Sequence, residues 1–203
     1  MRAATAVLLA LTCLAAGSAA ADDKFHAAPP AAKADRGFQV RVVSYDGSTN
    51  GELSVEVKNT SKKPMVFSAR GLYFVPDGDA DQAPQRLGAV GPFQIATDEE
   101  VESEARREKV TVGAGQTVAL TLDVFCIDSH RNSPSSSTPF TVGKTRMPAT
   151  LAADIDRKAK RAAKEVGGFA APAAKSAVQS EVWKSRDARW IELDGEGVQE
   201  ATK

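Results

Sequence analysis

The side chain with the most chemistry to offer in this sequence is the thiol of Cys126, in "VALTLDVFCIDSH" at residues 118–130. Of the two cysteines in the chain, Cys13 falls in an apolar N-terminal run that reads as a removed export signal. Cys126 then stands alone in the mature protein, and no internal disulfide can form. Several roles fit a solitary exported cysteine. It continues the parity of Val118, Leu120, Leu122 and Val124, which makes it a small apolar residue on the buried face of a strand. It can bridge a second chain through a disulfide. It can act as a nucleophile assisted by His130, with Asp128 as the orienting group of a cysteine-dependent hydrolase.

The other chemistry-bearing residues are more easily set aside. Asp77, Asp79 and Asp81 alternate like the opening of a calcium loop. Gln82 stands at the sixth place where glycine is wanted, and Gly88 at the twelfth where a glutamate closes the loop, so a solvated turn is expected. "NTS" at Asn59 is an acceptor sequon, relevant only to a eukaryotic secretory route. One cysteine and two scattered histidines make no zinc pattern. No phosphate loop and no basic-aromatic stripe is present. No metal and no cofactor is expected.

The elements that must position Cys126 follow from periodicity. "FQVRVVSYDG" alternates Phe38, Val40 and Val42 with polar neighbours, and "ELSVEVKN" does the same with Leu53, Val55 and Val57. Period two predicts an antiparallel pair of strands joined by the "DGSTNG" turn. "MVFSARGLYFVP", "QRLGAVGPFQIA" and "KVTVGAGQTVALTLDVFC" predict further short strands. The charged run "TDEEVESEARREK" predicts a short helix or a solvated crossing, with Thr97 as the N-cap of the former. Short strands broken by Gly, Pro and Asn turns point to an immunoglobulin-like antiparallel β-sandwich, without the cysteine and tryptophan spacing of antibody domains. From residue 148 the period changes. "PATLAADIDRKAKRAAKEVGG" sets Leu151, Ile155, Ala159, Ala162 and Val166 on one side and stops at Gly167-Gly168, and "APAAKSAVQSEVWKSRDARW" predicts a second helix that breaks near Asp187. The fold class expected is therefore α+β: a sandwich followed by a small α-helical region packed on it.

The second helix carries "VQSEVW" at residues 178–183. Together with "FCID" at residues 125–128, it resembles the two signatures of the thioester domains of bacterial surface adhesins. In that family an aromatic-Cys segment on a β-element precedes a Thr-Gln-x-Ala-Ile/Val-Trp segment across a helical stretch. The resemblance implies that the Cys126 thiol is joined to the Gln179 side chain as an internal thioester, with Phe125 beside the thiol and Val182 and Trp183 as apolar support. Val178 stands where the family has Thr, Glu181 where it has Ala, and Phe125 where Tyr is commoner; the resemblance covers about a dozen residues. A thioester survives only where water is excluded and both groups are held in contact, which a strand end under a helix can provide. An attacking amine or hydroxyl would then take the Gln179 acyl group and release the thiol, with His130 accepting a proton.

Composition and the chain's beginning set the compartment. Arg2, the apolar run of residues 6–16 and Ala19-Ala20-Ala21 predict a signal peptide over residues 1–21, too short to span a bilayer. Lipidation at Cys13 is the rival reading, opposed by Thr12 where a small residue is wanted. Residues 22–37 read as a flexible Ala/Pro-rich leader, 38–133 as the sandwich and 134–203 as the helical region. The 26 basic side chains balance the 26 acidic ones, which argues against a general affinity for nucleic acid or anionic membrane, and no later run is long enough for stable membrane insertion. The function expected is that of a secreted or periplasmic, non-enzymatic bacterial protein that binds a protein or surface ligand. Covalent capture through Cys126 and Gln179 is its specific form, and a structural envelope component with Cys126 as core residue, or a Cys126–His130 hydrolase, the alternatives.

Overall fold

A computed structural model of the 203-residue chain describes residues 24–32, 36–78, 82–96, 106–188 and 193. The expected signal peptide, Asp79 and Asp81 of the aspartate-rich loop, and Thr97 to Ala105 of the charged run lie outside the described residues. The fold is α+β, mostly antiparallel sheet with two helices.

The alternating runs form the strands they predict. β1 (His26–Ala27) pairs with β2 (Phe38–Tyr45), and β2 runs antiparallel to β3 (Glu52–Asn59) from Phe38↔Asn59 to Tyr45↔Leu53. β4 (Met65–Phe67), β5 (Tyr73–Pro76), β6 (Leu87–Ala89), β7 (Phe93–Ile95) and β8 (Arg106–Arg107) follow, then β9 (Val110–Val112), β10 (Thr117–Cys126) and β11 (Phe140–Val142). Among the described residues the main sheet runs β1-β2-β3-β10-β6-β5-β11, with β7 on β10 and β8 on β7. β11 returns beside β2 and β1, so the sheet curls back towards its own beginning and is nearly barrel-shaped. β4 and β9 make a separate two-stranded sheet.

Three parts of the molecule differ from their sequence expectation. The stretch read as a flexible leader contains β1, and Ala28 and Pro29 after it are buried; period-two analysis has nothing to detect in a two-residue strand. β11 lies inside the stretch read as helical, where "FTV" is likewise too short to show a period. Arg106 and Arg107, within the charged run, take up strand pairing with β7.

β10 organises the whole. Its first half pairs with β3 from Thr117↔Lys58 to Asp123↔Glu52, and its last three residues pair with β6 through Val124↔Ala89 to Cys126↔Leu87. Strand alternation sends successive side chains to opposite faces. Leu120, Leu122, Val124 and Cys126 enter a core with Phe38, Val55, Phe67 and Phe140, while Phe125 and Ile127 enter a second core under the helices.

The helices are α1 (Ala149–Glu165) and α2 (Ala174–Ala188). Leu151, Ile155, Ala159 and Ala163 of α1 and Ala174, Val178 and Val182 of α2 fill that second core with Phe125, Ile127 and Tyr73. Alanine on both helices keeps their axes close. The stop of α1 is the glycine pair: Gly167 at φ +102° and Gly168 at φ +100° turn the chain, and the Gly168 N–H returns to the Ala163 carbonyl at 2.7 Å. This turn reverses the chain and delivers α2 to the end of β10.

Candidate functional site

The end of β10 is where the two motifs meet. β3 stops at Glu52, so beyond Asp123 the edge of β10 on that side has lost its neighbouring strand. The 49–51 loop continues in its place: the Val124 N–H donates to the Gly51 carbonyl at 3.0 Å and the Cys126 N–H to Thr49 at 3.1 Å. In a strand the N–H and C=O of one residue point to the same edge. The Cys126 carbonyl on this edge is met by the side chain of Gln179 from α2. The Gln179 Nε2 donates to it at 2.8 Å, and the Cys126 N–H donates to Gln179 Oε1 at 3.1 Å. The carboxamide thus serves Cys126 as a peptide group of a missing strand would. Cys126 is 0 % exposed and Gln179 4 %.

The thiol belongs to the core of β2, β3 and β10. Burial pushes it up to about 12, with the Asp128 carboxylate adding to the shift. A thiol so shifted is protonated at neutral pH and is a poor nucleophile. Comparison of the chain with protein-family models, with curated proteins and with solved structures finds no match. The site therefore has to be understood from its own geometry.

That geometry is a row of polar contacts along one side of α2. Residues 179, 183, 186 and 187 recur at helical spacing and meet 126–129 together with the residues before β6. After Gln179 comes Trp183, half-buried against the first core, whose indole N–H donates to Gln85 Oε1 at 3.3 Å. Gln85 in turn donates to the Arg131 carbonyl at 2.9 Å. Next, Asp128 holds Arg86 in a forked pair, Nε to Oδ2 at 2.9 Å and Nη2 to Oδ1 at 2.7 Å, and takes the Arg86 backbone N–H at 3.1 Å. Arg186 from α2 lies 4.0 Å from the same carboxylate. Last, Ser129 donates to the Asp187 carboxylate at 3.0 Å.

Asp128, Arg86 and Arg186 are all within 2 % of complete burial. Burial alone would push the Asp128 carboxyl up, but the hydrogen bonds and charge of Arg86, with Arg186 beyond, outweigh it and hold the group below the usual carboxylate range.

Of the residues singled out by the sequence, Cys126, Gln179, Asp128 and Trp183 converge here, with Phe125 and Val182 packed in the core beneath the helices. His130 sits on the exposed turn after the buried strand end. Arg86, Gln85, Arg186 and Asp187 were not anticipated. For Arg186 and Asp187 the signal is the helical spacing of 179, 183, 186 and 187, legible once Gln179 is known to face the sheet. The Asn59 sequon is put to other use, since Asn59 is 0 % exposed and its Nδ2 bridges the carbonyls of Lys63, Val112 and Gly113 at 2.9, 2.9 and 3.0 Å. Among the described residues no cluster of His, Cys, Asp and Glu could hold a metal, and no helix is long and apolar enough to cross a membrane.

Proposed function

We propose that this is an exported bacterial binding or surface-interaction protein, non-enzymatic, on an immunoglobulin-like variant of the antiparallel sheet, with the Cys126–Gln179 seam fastening its helical region. The observation that carries the non-enzymatic part is the double hydrogen bond between the Gln179 carboxamide and the Cys126 main chain, closed from water. A reagent or substrate has no route to a thiol held there, and its protonated state removes the nucleophile. The burial of the thiol speaks equally against a Cys126–His130 hydrolase.

A second reading, the internal thioester, is favoured by one feature. The Cys126 N–H already donates to the Gln179 carbonyl oxygen, so the oxygen on which charge develops during acyl transfer has a donor in place. In that reaction the Cys126 S–H adds to the Gln179 carboxamide carbon, the S–C bond forms as the C–N bond breaks, and the nitrogen leaves as ammonia with the thiol proton. An amine of a target would later displace the sulfur, leaving a target–Gln179 amide and a free Cys126 thiol.

Intact-mass measurement separates the two. The clamp expects the mass of the unmodified chain and a thiol titratable only after unfolding. The thioester expects one ammonia less, and a thiol released by methylamine.

A further inference from the structure

Outside the seam, the surface holds a second feature with a chemical signature. β4 turns Met65 and Phe67 into the core and Val66 outward, where it is 52 % exposed, the most exposed large apolar side chain among the described residues. Val66 on this strand, Arg70 on the turn after it, Lys109 beside β9, and Ala149 and Ala152 on the first turns of α1 wall a groove of about 680 Å³. Among the described residues its charged lining is Arg70, Lys109 and Arg146, with no acidic side chain. Arg146 is committed to the carbonyls of Pro29, Ser68 and Arg70, so it fixes the groove's shape and lends charge. Arg70 lies 4.0 Å from Asp156 and near enough to Glu108 to help hold its carboxyl down, with its own side chain more than half exposed. The end of α1 that faces the groove has no side-chain cap and no acidic residue in its first turn, which leaves its positive potential uncompensated.

We propose that this groove docks a short acidic peptide segment of a partner protein. One apolar residue of the peptide packs on Val66 and the alanines of α1, and flanking carboxylates face Arg70 and Lys109. Charge complementarity selects the acid, and concavity selects a narrow occupant over a lipid surface, for which a single exposed valine gives little to insert. The proposal adds a partner class to the binding role and stands on different elements from the Cys126–Gln179 seam.

The test is fluorescence anisotropy with the full chain and a labelled peptide of alternating glutamate and valine, against its lysine–valine counterpart. The acidic peptide is expected to bind saturably, several-fold more weakly at physiological than at low ionic strength. Joint Arg70→Glu and Lys109→Glu replacement is expected to weaken it roughly tenfold or more, and Val66→Ser to weaken it as well, with far-UV circular dichroism and the urea midpoint unchanged. Equal binding of the lysine peptide, no binding at roughly millimolar peptide, or affinity untouched by the double charge reversal overturns the proposal. So does a dimer in sedimentation velocity that Val66→Ser abolishes, which assigns the groove to a second copy. Binding to phosphatidylglycerol vesicles without binding to the peptide overturns it in favour of a lipid surface.

Discussion

Replacing Gln179 by Met and Cys126 by Ala, singly and together, distinguishes a clamp on the backbone from a bond to sulfur. Methionine keeps nearly the length and volume of glutamine but neither donates to the Cys126 carbonyl nor accepts from its N–H. The N–H retains the Thr49 carbonyl at 3.1 Å, so the loss is dominated by a buried carbonyl deprived of its 2.8 Å donor. A buried polar group left without a partner costs about 1–3 kcal/mol. Cys126→Ala removes one sulfur from the apolar core, a change of about 1 kcal/mol. In a domain of this size each kcal/mol lowers Tm by roughly 2–4 °C.

The decisive quantity is the coupling. Alanine preserves the main chain to which Gln179 is bonded, so the clamp predicts that the two costs add within about 0.5 kcal/mol. A thioester predicts the opposite. Either single change already severs the one covalent link, and the double variant is scarcely worse than the worse single. Urea unfolding of the four proteins, with m-values compared, measures it. A coupling well above about 1 kcal/mol would refute the clamp of Gln179 on the Cys126 main chain.

Other consequences follow from buried charge and close approach. Asp128→Ala takes the forked partner from Arg86 and should cost about 3–5 kcal/mol by urea denaturation, whereas Arg86→Met with Asp128→Leu should recover only part of that, because buried Arg186 also faces the lost carboxylate. Because the folded-state pKa of Asp128 lies below the unfolded value of about 3.9, its contribution is present above about pH 4 and is lost as pH falls through the folded value. Urea midpoints of the wild type should therefore drop in that window more steeply than those of Asp128→Asn, and parallel curves would contradict the pairing. Gly91→Ala meets a backbone at φ +83° and puts a Cβ 2.6 Å from the Phe169 ring; a loss of roughly 1–3 kcal/mol is expected by thermal melting, of which Phe169→Leu should relieve the steric part only.

The parity of Val118 to Cys126 put the thiol on a buried face before any coordinates, and the 3.6 period put Gln179 and Trp183 on a helix. Parity says where side chains point. It is silent on which backbone N–H and C=O groups lose their neighbour where an adjacent strand ends, and that loss at Glu52 is what Gln179 answers. The pairing of Asp128 with Arg86, 42 residues apart, depends on β6 lying beside β10, a register that short strands flanked by Gly and Pro do not encode locally. Nor does the Asn59 motif announce itself as a core amide, since three backbone carbonyls from two segments must converge before its Nδ2 has anywhere to donate.

The resemblance that drew attention to "FCID" and "VQSEVW" has a physical content independent of any covalent bond. A strand that outruns its neighbour exposes one residue's N–H and C=O on a single edge, and a helical carboxamide supplies a donor and an acceptor at the spacing of a peptide group. The tryptophan one turn on and the arginine and aspartate one turn beyond that then seat the rest of the helix along the same strand end. Such a seam needs Gln at 179 and is indifferent to the side chain at 126 so long as it is small and apolar. On this reasoning Cys126→Val belongs with the tolerated replacements and Gln179→Glu with the damaging ones. The carboxylate would face the Cys126 carbonyl in a dry site, so its pKa would rise and stability would be lost with increasing pH, opposite in sign to the Asp128 effect.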